Sequence, residues 1–219
     1  MSEEQMRGEG EARKARSIAR LTGEGVPIID HLPWIECDPA LVQSLEAVAC
    51  RAMVICLLGV YAEPDGMPRD LLDKFLDSRG VRGDLTPREN EFLAKEIPSR
   101  QDRASFTWQY ECAHVLLWAM GYIEALCAPT ESCTAQGVSV IVAPRSLVQL
   151  MEESNFRSPQ EIFDGADLIF RYHWAARNAA LRHEEPPAGL IEAVCYYRHY
   201  AFNWLIDSGT NWDDVDTST

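Results

Sequence analysis

Three tryptophan-containing segments set ionisable side chains among apolar ones. They are Trp108-Gln-Tyr-Glu111-Cys-Ala-His114-Val-Leu-Leu-Trp118, Arg171-Tyr-His173-Trp174-Ala-Ala-Arg177-Asn178 and Arg198-His199-Tyr-Ala-Phe-Asn203-Trp204. On helices, the apolar neighbours carry such groups toward the interior, where an unpaired charge costs several kcal/mol. A fold built from these segments must satisfy the charges internally. Either they form a polar network that fixes how the helices pair, or they line a site.

At 219 residues the chain suits one full-sized domain, able to bury roughly 70% of its unfolded surface. Its formal charge of −14, from 34 acidic against 20 basic residues, argues against nucleic acid or an anionic membrane as a general partner. A basic protein partner fits that charge. The longest apolar stretch, Ala52 to Ala62, is about half of the ~20 residues a membrane helix needs. The charged start, Met1 to Arg20, lacks the apolar region of a secretory signal, so a cytoplasmic location is expected. Cys37, Cys50, Cys56, Cys112, Cys127, Cys133 and Cys195 show no Cys-x-x-Cys spacing and read mainly as buried thiols packing as small hydrophobes. Cys127 and Cys133, flanking a proline-containing loop, are the one pair placed for oxidation.

The punctuation of the chain predicts an all-α fold. Residues 1–12 read as a disordered tail, followed by a short helix from Ala12 to Leu21 and an extended run around Pro27 and Pro33. Asp38, with Pro39 after it, is expected to cap a long helix reaching Tyr61. That helix is apolar on nearly every side from Ala47 onward, which places it at the centre. Shorter helices are expected from Met67 to Asp77 and after the capping box at Thr86–Glu89, and a long one from Asp102 to Leu126. Val138–Val142 fits a short strand or a buried helix equally. The capping box at Ser158–Glu161 opens a helix expected to break at Gly165 and resume from Asp167 to His183. A last helix is placed from Ala188 to Asp207. Residues 13–210 thus form one domain of seven to nine helices, and 211–219 an acidic, mobile tail in which Trp212 is a candidate for docking.

At 3.6 residues per turn, Trp108, Glu111, Val115, Trp118, Tyr122 and Leu126 fall on one stripe. Asp167, Arg171, Trp174 and Asn178 share a face, with Asp167 and Arg171 four apart. Arg198 falls among Val194, Ala201 and Leu205, while His199 and Asn203 lie on another side. The candidate polar network or ligand site is therefore Trp108, Glu111, Asp167, Arg171, His173, Trp174, Arg198, His199, Asn203 and Trp204. Glu111 facing Arg171 or Arg198 is the simplest way to satisfy its charge, because guanidinium pairs bidentately with carboxylate. A buried ion pair that fixes helix register is the simpler reading, and a ligand site the alternative.

Glu111-Cys-Ala-His114 has the spacing used in di-metal helix bundles. A second Glu-x-x-His is lacking, so no metal or other cofactor is expected. Nucleophile elbows, phosphate-binding glycine loops and electropositive cysteine turns are also missing. No catalytic residue is assigned.

The same segments resemble a bacterial family known only as a domain of unknown function, number 4272. The similarity begins at Arg13–Ser17, Gly25–Ile28 and His31-Leu-Pro, and continues through Phe106–Glu111 and Leu117–Gly121. It is clearest in Asp167–Arg177 and in Arg198-His199 with Asn203-Trp204-Leu205, and closes with Trp212–Val215 and Thr217. The resemblance implies one helical domain and supplies no activity or catalytic residues. The leading functional expectation is an interaction or regulatory protein whose acidic surface binds a basic partner; an immunity-type protein that neutralises a toxin fits the same features. The alternative is a small-molecule binder or unrecognised enzyme with a pocket formed by Glu111, Arg171, His173, Arg198 and His199.

Overall fold

The computed structural model describes residues 3–36 and 38–219, with side chains from residue 6 onward. Its first helix, α1 (Glu3–Gly23), starts well before the expected Ala12. It is pinned to the rest by Arg13, which is 1% exposed. That guanidinium donates to Asp164 (3.1 Å) and Gln160 (3.1 Å) and lies over the Phe163 ring.

The central helix is α2 (Leu45–Ala62), and Ser44 rather than Asp38 is its cap. Asp38 instead caps a single 3₁₀ turn, Pro39–Leu41. The chain is diverted between the two because the Gln43 N–H donates to the Leu205 carbonyl (2.9 Å) at the end of the last helix. By length and hydropathy α2 could cross a membrane, yet 67% of it is buried inside the protein. Its buried run from Val48 to Gly59 supplies the core that the later helices cover.

α3 (Arg69–Ser78), α5 (Arg100–Trp108), α6 (Tyr110–Ala119), α7 (Ala135–Val142) and α8 (Leu147–Glu152) pack around α2, and α4 (Pro87–Ala94) joins them through Phe92, which meets Tyr61 of α2 edge-on and stacks on Phe106 of α5. α9 (Pro159–Leu181) and α10 (Glu192–Leu205) form the most extensive helix pair. The fold is a single all-α domain with no strand among the described residues. Residues 138–142 accordingly lie in a helix, α7.

Three further helical segments differ from the sequence expectation, each for a local reason. The expected 102–126 helix starts two residues earlier, at a Ser99–Asp102 capping box, kinks at Gln109, and stops at Ala119. It stops because Gly121 takes φ +83°, with the backbone of Asn155 lying where a side chain would stand. α9 runs unbroken through Gly165, since the missing Cβ there admits the Phe202 ring of α10. α10 starts at Glu192 because Ala188 and Gly189 both take positive φ in the preceding turn.

The C-terminal residues, expected to be mobile, are held in place. Trp212 packs edge-on against Tyr200 and Trp204, Asn203 donates to the Asp216 carbonyl (2.7 Å), and Asp213 accepts the Arg88 backbone N–H (3.0 Å). Cys37 lies outside the described residues, and the other six cysteines are free thiols, Cys127 and Cys133 included.

Candidate functional site

α6 brings Glu111 against α10, where Arg198 Nε donates to Glu111 Oε2 at 2.8 Å. Both residues are almost fully buried. The other carboxylate oxygen accepts the Cys133 backbone N–H (2.5 Å), and Arg198 Nη1 donates to the Cys127 carbonyl (2.8 Å). The ion pair thus also fastens the 127–133 loop to the core. Beside it, burial and then the Glu111 charge push the Cys133 thiol up, while burial and Arg198 push the His114 imidazole down.

Arg171 does not meet Glu111. Its Nε and Nη2 bond Asp167 Oδ2 and Oδ1 at 2.9 and 2.7 Å within α9, and Nη2 also reaches the Pro33 carbonyl at 3.0 Å. The sequence spacing of four identifies this pair, whereas the proline carbonyl that completes it comes from 138 residues away.

His173 on α9 and His199 on α10 form a third unit, with their Nδ1 atoms 2.9 Å apart. One ring must donate and the other accept, since two imidazolium rings would oppose N–H to N–H. Burial, and then the Arg177 charge, push His173 down to about 4. Burial and then His173 push His199 down to about 3, against the opposing charge of Asp216. The aromatic rings of Phe170 and Tyr196 pack on the pair.

The remaining candidates serve packing and tethering. The kink at Gln109 turns Trp108 out of the Glu111 stripe onto the surface, where it stacks on Tyr197. Trp174 packs half-buried against the core. Asn203 holds the C-terminal segment, and Trp204 packs on Trp212.

These residues do not share a cavity. Arg198 lines a pocket of about 320 Å³ with apolar Trp118, Leu168 and Phe202 and charged Arg20, Glu161 and Asp164. Trp204 lines a separate cleft of about 680 Å³. Glu111, Asp167, Arg171, His173 and His199 line none of the five cavities described. The expected pocket built jointly from Glu111, Arg171, His173, Arg198 and His199 is replaced by three internally satisfied units. Among the described residues, no group of three or more His, Cys, Asp or Glu is placed to hold a metal.

A further buried pair escaped the sequence reading: Arg51 Nη2 donates to Glu89 Oε2 at 3.0 Å. The signal was available, because Arg51 is a charge in the most apolar helix, the same criterion that singled out Glu111. By its sequence position Glu89 is half of a capping box, a role it also fulfils. Burial holds its carboxyl above the usual range, opposed by Arg51.

Fold and core together define a one-domain helical protein whose buried charges are largely paired across and within its helices. The chain belongs to the family described as Domain of unknown function (DUF4272), whose model matches residues 13–215. No curated protein and no solved structure matches it.

Proposed function

We propose that this protein is an interaction or regulatory module that binds a basic protein partner through its acidic surface. The observation that carries the reading is where the basic residues go. Arg13, Arg51, Arg171 and Arg198 are buried against carboxylates. Arg79 donates to the carbonyls of Val142 and Ala143 at the end of α7, and Arg157 to those of Trp118, Ile123 and Glu124. Carboxylates such as Glu124, Glu131, Glu152, Glu184, Glu185 and Asp214 are exposed. Because the buried arginines take the carboxylates of Glu89, Glu111 and Asp167 inside with them, the surface keeps essentially the whole formal charge of −14, which favours electrostatic steering of a positively charged partner. Self-satisfaction of the candidate polar groups supports the same reading over a site built on them. An immunity-type role, neutralising a basic toxin, is one form this function would take.

The test is capture of partners from the native cytosol at low salt, followed by reconstitution with the purified partner. A one-to-one complex whose affinity falls steeply with salt, and falls again on Glu184→Lys/Glu185→Lys or Glu152→Lys, is expected. A salt-insensitive complex, or no stoichiometric complex, would remove the acidic surface from the function.

A further inference from the structure

The Glu111–Arg198 pair is one-pronged, and it leaves one nitrogen of the guanidinium over. Glu111 Oε2 takes Arg198 Nε, its Oε1 takes the Cys133 N–H, and Nη1 goes to the Cys127 carbonyl. Nη2 donates to no group among the described residues and, unlike Nε of Arg51, is not sealed from solvent. Arg198 is only 4% exposed, and the cavity it lines is the one of about 320 Å³ bordered by α6, α9, α10 and residues 124–129. A buried, charged donor thus opens onto an internal space, where a hydrogen bond to it gains more than at the surface.

The surroundings of that donor select its acceptor. Trp118, Leu126, Leu168, Ile169 and Phe202 give the cavity apolar walls, suited to an aryl or branched alkyl body. A carboxylate at Nη2 would set a second negative charge beside Glu111, with Glu124, Glu161 and Asp164 also bordering the space. An ammonium would bring a like charge and a donor to a donor. A hydrocarbon would suit the walls and leave Nη2 bare. A neutral carbonyl oxygen does for Nη2 what the Cys127 carbonyl does for Nη1. If about 150 Å³ takes one benzene ring, the cavity holds roughly a dozen non-hydrogen atoms.

We propose that this cavity binds an uncharged carbonyl compound of that size, a small ketone or amide, with its oxygen on Arg198 Nη2 and its apolar body against Trp118, Leu168 and Phe202. The assignment stands apart from the acidic-surface reading.

The test is titration of the full-length protein with five compounds of one skeleton: benzylacetone, hydrocinnamamide, hydrocinnamate, phenylpropylamine and isopentylbenzene. Binding is followed by calorimetry and by the rate at which iodoacetamide alkylates Cys127, an exposed thiol that lines the same cavity. The ketone and the amide should bind saturably, one to one, and slow the alkylation. The carboxylate, the amine and the hydrocarbon should bind at least tenfold more weakly, about the loss of one hydrogen bond to a charged group. Arg198→Lys keeps a cation for Glu111 and removes Nη2, so it should bring the ketone down to the level of the hydrocarbon. Leu168→Trp fills the cavity from a half-buried position and leaves the ion pair intact. It should abolish binding while the melting curve stays close to wild type, and it decides the matter even if Arg198→Lys does not fold. No saturable binding by either carbonyl compound, binding that survives Leu168→Trp, or a carboxylate, amine or hydrocarbon that matches the ketone would overturn the site.

Discussion

Arg198 reaches Glu111 from the middle of α10, and the same carboxylate holds the backbone of Cys133, 22 residues on from Glu111 in the loop beyond α6. One ion pair therefore ties α6, α10 and the 127–133 loop together. Glu111→Gln leaves Arg198 charged and short of its partner, and breaking a buried pair from one side costs about 3–5 kcal/mol. For a chain of this length that is a fall in Tm on the order of 10 °C. Glu111→Leu combined with Arg198→Met should regain much of it, since an apolar pair leaves no buried charge. Chemical denaturation of the two single variants and the double variant checks this. An additive double variant would show that the two residues are not coupled.

Arg171 differs in that its carboxylate is local while its third acceptor, the Pro33 carbonyl, is distant. Arg171→Lys keeps the charge but cannot reproduce the two-pronged geometry, so a loss of about 1–3 kcal/mol is expected. Faster amide exchange in residues 26–36 should accompany it. Unchanged exchange there would mean that the proline contact does not anchor the segment.

The His173–His199 pair predicts a specific pH window. Both rings have folded-state values, about 4 and about 3, below the ordinary ~6.5. In that range the unfolded chain binds protons that the folded chain refuses. The pair's contribution is therefore fully present above pH 6.5 and lost as pH falls toward 4. The slope is roughly 1.4 kcal/mol per pH unit for each ring. Urea denaturation from pH 7 to 5 should show falling stability, less so in His173→Phe/His199→Leu. Imidazole NMR signals of either ring titrating above pH 6 would contradict the arrangement.

Gly165 tests the α9–α10 crossing. Alanine has the better helix propensity by about 1 kcal/mol, yet a Cβ at this position would stand 2.5 Å from the Phe202 ring, which is 1% exposed. Overpacking should win, giving a net loss of about 1–3 kcal/mol in Gly165→Ala. Gly165→Ala/Phe202→Leu should restore part of it. A more stable Gly165→Ala alone would mean that the helices separate at little cost.

How much of this was legible beforehand follows from the range of each interaction. Asp167–Arg171, the capping boxes at Thr86 and Ser158 and the buried character of α2 are local patterns, repeating within one or two helical turns. They could be read directly. Glu111 was narrowed to two arginines but not assigned, because sequence gives the face of a helix and not its neighbour.

What the sequence by itself determined was the helical class, most of its helices and the need for buried charges to be paired. The tertiary structure decided which partners met, and so divided one apparent site into three closed units. It also decided where helices stop, since Asn155 forces the end of α6 at Gly121 and Phe202 makes Gly165 a crossing point rather than a break. Local patterns depend on energies within a turn of helix, whereas pairing and cavities depend on how separate helices share one interior. That is why Glu111 is assigned to Arg198 only once α6 and α10 are seen to share the same interior.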